Sequence, residues 1–112
     1  MNYEEAPGLC DQLRELVKAG RDSVRTRQAV ESILSYIARE HDPGSRIDEK
    51  VADVRDGFNT WFQVRERVVP NADRKAVVEL VVRTIGRLEY ALGTQFLSGA
   101  VGRNPQPGAR TS

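Results

Sequence analysis

DRKAVVELVVRTIGRLEYALGTQFL, residues 73–97, is the longest apolar-periodic stretch of the chain, and its reading decides the fold. Val77, Val78, Val81, Ile85, Leu88, Leu92 and Phe96 recur at steps of three and four. At 100° per residue they gather into one stripe, with Glu79, Arg83 and Arg87 on the other side. Glu79 before Arg83 is the favourable order for an ion pair one helical turn apart. Taken alone, the run Val77 to Val82 is strand-like, because β-branched residues favour strands. Length decides against that: strands rarely exceed about ten residues, and this pattern holds its phase for about twenty. Pro70 and Asn71 mark a turn, Asp73 is an expected N-cap, and Gly99 and Gly102 are expected stops. Gly86 and Gly93 each weaken the helix by about 1 kcal/mol relative to Ala, and either could admit a close neighbour.

Three shorter stretches upstream have the same period. The first helix is predicted over about Pro7 to Ala19, with Leu9, Leu13, Leu16 and Val17 as its stripe. Proline is tolerated at a first helical position, Glu4 and Glu5 suit the positive helix end, and Gly20 is a natural stop. The second helix begins between Asp22 and Thr26 and runs to about His41, with Asp22, Ser23 and Thr26 as rival caps. Val30, Ile33, Leu34, Ile37 and Ala38 form its stripe, and Asp42-Pro43-Gly44-Ser45 ends it. The third helix runs from Asp48, or slightly before, to Val68. Ser45 and Asp48 have capping-box spacing, with Asp where Glu or Gln is usual. Ile47, Val51, Val54, Phe58, Trp61, Phe62 and Val68 make its stripe, with Gly57 beside the aromatic group.

Short links between helices favour antiparallel neighbours. The prediction is therefore an all-α, single small antiparallel bundle of four helices over residues 1–98. Residues 99–112, rich in Gly, Pro, Ser, Thr, Asn and Arg, are expected to form a disordered tail.

The chain has 112 residues, enough for one domain with a modest core. Its net charge of +1 argues against a strongly basic nucleic-acid binder. Arg greatly outnumbers Lys, which coding bias explains before phosphate recognition does. Cys10 is alone, so it excludes an internal disulfide and a cysteine metal cluster, and suits a reducing compartment. The start Met1-Asn2-Tyr3-Glu4-Glu5 lacks the basic and apolar regions of a signal peptide, and no apolar run is long enough to cross a bilayer. A soluble cytoplasmic protein without membrane contact is expected.

Catalytic groups are scarce. The single His41 and the single Cys10 fall on different helices, so nothing supports a dyad. Glu40 and Asp42 flank His41 but point away from it on a helix, and a partly charged imidazole suits a helix C-terminus. Phosphate-cradling glycine loops are absent. Asp53 with Asp56, and Asp48 with Glu49, fall on the solvated side of the third helix, where nothing raises one pKa for acid–base work. No enzyme activity, metal or cofactor is expected.

Charge is the feature with functional content. Residues 13–30 carry a balance of +3 through Arg14, Lys18, Arg21, Arg25 and Arg27, and residues 31–60 a balance of −3. Helix, short Gly-containing turn and Arg-rich helix start over Leu13 to Leu34 form the outline of a helix-turn-helix. The turn lacks an apolar anchor, and any two helices joined by a short polar turn look similar. The alternative is that the two blocks match each other within the bundle or across a dimer. Arg65 falls within the third helix's apolar stripe. Either it snorkels to water, or it and Phe58, Trp61 and Phe62 mark a surface that a partner covers.

The leading expectation is a non-catalytic helical protein–protein interaction module, an adaptor or small accessory factor. Its partner-binding residues are Phe58, Trp61, Phe62 and Arg65, and a second copy of the chain is one partner to consider. The alternative is a small DNA-binding regulator using Arg14, Lys18, Arg21, Arg25 and Arg27.

Overall fold

The structure, a computed structural model, describes residues 4–20, 23–65 and 71–103, with side chains at 4–20, 23–64 and 73–94. Four helices account for nearly all of them: α1 (Glu5–Lys18), α2 (Val24–Arg39), α3 (Arg46–Arg65) and α4 (Asn71–Arg103). There is no strand among the described residues. The all-α four-helix prediction holds.

Local chemistry sets the helix ends. α1 begins two residues before Pro7, which still lies in the first turn, where a missing N–H costs no intrahelical bond. It ends at Lys18, and Gly20 follows with φ 71°, a left-handed turn that glycine adopts without a Cβ penalty. Ser23 settles the capping question at α2: its side chain accepts the Thr26 N–H at 3.2 Å. α2 stops at Arg39, ahead of the expected end at His41. The capping box before α3 forms in a variant way. The Ser45 hydroxyl accepts the Asp48 N–H at 3.3 Å, and the Asp48 carboxylate accepts the Gly44 N–H at 2.9 Å. Val68 lies outside the described residues. α4 starts at Asn71, ahead of Asp73, and extends past Gly99 to Arg103, so at 1.5 Å per residue it is about 50 Å long. The remainder of the expected tail, 104–112, lies outside the described residues.

The core is one cluster fed by all four helices. Ala6, Cys10, Leu13 and Val17 come from α1, and Val30, Leu34 and Ile37 from α2. Ile47, Val51, Val54, Phe58, Trp61 and Phe62 come from α3, and Val81, Ile85, Leu88, Ala91 and Leu92 from α4. α3 and α4 share the most extensive contact, followed by α1 with α4, α2 with α3, and α1 with α2. Each helix therefore has two main neighbours, and the chain closes a ring. Pairings across α2 and α3 run in opposite directions along the two helices: Glu31 meets Arg55, and Arg27 meets Phe62.

Two details of the α4 prediction change. No ion pair joins Glu79 to Arg83; both side chains are exposed and Arg83 turns to a groove described below. The close approach belongs to Gly57 of α3 rather than to Gly86 or Gly93. A Cβ at Gly57 would lie 3.4 Å from Thr84 Oγ1 and 3.5 Å from Val81 Cγ2, whereas one at Gly86 or Gly93 would meet nothing within 4 Å. Phe96 belongs to the part of α4 whose side chains are not described.

Candidate interaction surfaces

Phe58, Trp61 and Phe62 are 1%, 2% and 6% exposed, so in the monomer these three serve the core rather than an open contact surface. Their rings form one cluster. Phe58 meets Trp61 edge-on at 6.2 Å between centroids, and Trp61 lies 5.2 Å from Phe62. Such pairs each contribute about 0.5–1.5 kcal/mol beyond burial. The signal was in the sequence, because all three share a stripe with Ile47, Val51 and Val54. The Arg65 side chain lies outside the described residues.

The basic block of the first turn disperses. Arg14 spans from α1 to α4, donating to Glu89 and also to Asp11 at 2.8 Å, and the Glu89 hydrogen bond raises its pKa further. The Arg27 guanidinium sits 4.4 Å over the Phe62 ring, a cation–π contact that closes the aromatic cluster. Lys18 and Arg25 are exposed, and Arg21 lies outside the described residues. α1 and α2 lie side by side, as the Tyr36 hydroxyl reaching Glu5 at 2.9 Å and the shared groove near Ala19 and Ala29 show. The matching of the +3 and −3 blocks is realised only piecemeal. Arg14 finds its acid on α4, and the α2–α3 bridge Glu31–Arg55, at 3.1 Å, joins two residues of the −3 block itself. Arg55 holds the Glu31 carboxyl below its ordinary range.

The candidate nucleophile and base are both subdued. Cys10 is fully buried, and burial, reinforced by Glu89, pushes its thiol up to about 12. Burial lowers the pKa of His41, which works against the partly charged imidazole expected at that helix end. Among the described residues no three His, Cys, Asp or Glu side chains gather into a metal site, and no helix is long and apolar enough to cross a membrane.

Among the described residues, grooves appear that the sequence did not reveal, because each needs side chains from two helices. The first runs between α1 and α2, with a volume of about 520 Å³. Gly8, Leu16, Ala19, Ala29 and Ile33 make a smooth apolar floor, and Asp11, Gln12 and Glu15 form a polar, acidic edge. Gly8 faces open space, with nothing within 4 Å of a Cβ placed there. The groove exists because α1 leans more on α4 than on α2.

The second groove, about 530 Å³, crosses α3 and α4 and is lined by Arg46, Lys50, Arg83, Gly86, Arg87 and Tyr90. Arg46 with Lys50, and Arg83 with Arg87, are like charges one turn apart. Each such pair costs a helix about 0.2–0.5 kcal/mol. Lys50 has a distant carboxylate neighbour, Asp53 at 3.9 Å, whereas Arg46, Arg83 and Arg87 make no ion pair among the described residues. Asp53 and Asp56 line a third hollow beside it, with Arg87 on the boundary.

The chain matches no protein-family model, and neither a curated protein nor a solved structure shows significant similarity to it.

Proposed function

We propose that the protein is a non-catalytic interaction module of the cytoplasm, an adaptor or accessory factor. Its α1–α2 groove receives an amphipathic helix from a partner protein. One observation carries this reading: an open groove with an apolar floor and an acidic edge, paved with Gly8, Ala19 and Ala29 so that another backbone can come close. Its floor suits Leu or Met anchors at helical spacing, and Asp11 and Glu15 suit Lys or Arg flanking them. The subdued thiol and imidazole support a binding rather than a catalytic role.

The test uses two synthetic helices of equal hydrophobicity, one of Leu and Lys and the other of Leu and Glu, each titrated against the full chain by fluorescence anisotropy. The Leu–Lys helix should bind, shifting the amide resonances of Gly8, Leu16 and Ile33. Gly8→Trp should block it sterically and Glu15→Lys electrostatically, with far-ultraviolet circular dichroism unchanged. Equal binding of both helices, or no loss in either variant, would overturn the reading. Light scattering across a concentration series decides whether the occupant is a second copy: growth in mass that Gly8→Trp abolishes would replace the foreign helix with self-association.

A further inference from the structure

The cationic groove across α3 and α4 is separate from the proposed helix-docking surface. We infer that it binds a compact polyphosphate carrying an aromatic ring, the chemistry of a nucleoside di- or triphosphate.

Three features converge on this. First, four cations from two helices face one concavity, and three of them, Arg46, Arg83 and Arg87, have no carboxylate partner among the described residues. Arginine pairs placed this way offer forked donors that match phosphate oxygens two at a time. Second, the patch is short. Arg46 and Lys50 lie one turn apart on α3, Arg83 and Arg87 one turn apart on α4, and Asp53 and Asp56 line the adjoining hollow. A nucleic-acid backbone needs a continuous basic stripe, and carboxylates interrupt this one, so the site suits a few adjacent phosphates. Third, Tyr90 follows Arg87 by three residues on the same helix, lines the same groove and is 69% exposed. An exposed ring beside a phosphate site is a stacking platform for a base. Gly86 leaves the floor between Arg83 and Arg87 open, since a Cβ there would meet nothing within 4 Å.

The experiment is calorimetric titration of the full chain with ADP, inorganic pyrophosphate and adenosine, without added divalent cation, at low and at physiological salt. ADP should bind tightest, pyrophosphate more weakly and adenosine least, with affinity falling as salt rises. Arg83→Glu and Arg87→Glu should each weaken ADP about tenfold or more, the loss expected for a charge-assisted contact. Arg25→Glu, away from the groove, should not. Tyr90→Ala should weaken ADP but leave pyrophosphate unchanged, and Gly86→Leu should obstruct both. Gly8→Trp should bind ADP normally, so failure of the helix-docking reading leaves this test intact. Absence of ADP and pyrophosphate binding at low salt, or equal binding by Arg87→Glu, overturns the assignment. So does groove-dependent binding of a 20-mer DNA duplex in preference to ADP.

Discussion

At the scale of single residues, burial decides what chemistry a side chain keeps. Cys10 is the chain's one thiol, and its pKa near 12 leaves it protonated at any ordinary pH. A thiol reagent at pH 8 should therefore modify the native protein only as fast as the chain opens, and should titrate one equivalent at once in denaturant. Rapid modification under native conditions would show that the face of α1 carrying Cys10 is not buried against the other helices. Glycines divide in the same way. Gly86→Ala should raise stability by about 1 kcal/mol in urea unfolding, since the helix gains propensity and the new methyl meets nothing. Gly57→Leu should lower it by about 1–3 kcal/mol, because α4 already occupies the space. The sequence showed both glycines inside helical patterns but not which one another helix approaches, since that is a property of two segments together.

At the scale of elements, the helix pattern was legible because apolar spacing of three and four residues survives every local ambiguity. The buried apolar residues of α2 and α3, from Val30 to Ile37 and from Ile47 to Phe62, lie on the expected stripes, although Ile33 and Ala38 of the α2 stripe are only partly buried. α1 was legible only in part. Its expected stripe of Leu9, Leu13, Leu16 and Val17 rotates to Ala6, Cys10, Leu13 and Val17, because the helix leans toward α4 and leaves Leu16 as groove floor. Caps fared similarly: of the three rival residues, Asp22 lies outside the described residues, Thr26 falls inside α2, and Ser23 has the extended backbone that aims its hydroxyl at the free N–H of Thr26. Ser23→Ala should cost about 1 kcal/mol in the same unfolding assay. After α2, His41 imposes a pH dependence. Its folded pKa lies below the ordinary 6.5, so the unfolded chain takes up the proton first. Stability is full above pH 6.5 and falls as the pH drops from there through the folded value. Urea midpoints measured from pH 7.5 to 5 should decline less in His41→Gln than in the parent.

At the scale of the whole molecule, the closed ring of four helices explains why the aromatic residues could not be exposed. Phe58, Trp61 and Phe62 project inward from α3, the helix with the most extensive partner, and Arg27 closes over Phe62. The two grooves proposed above as binding surfaces lie instead at seams where small or like-charged residues line neighbouring helices. Contact is fullest between α3 and α4 and sparsest between α1 and α2, so protection should follow that order. Amide exchange should be slowest around Phe58, Ile85 and Leu88 and measurably faster along α1. Uniform protection across the four helices would show that the α1–α2 seam is no weaker than the rest.

That slack seam has a further consequence. A barrel whose staves meet most fully where α3 adjoins α4 and most loosely where α1 adjoins α2 can take an additional stave at the loose seam without coming apart. Inserting one would complete the curve of the wall, so capture of a guest and consolidation of the host would be a single event. The protein would then melt later when occupied, and most of the gain would register in the first two helices rather than in the last two.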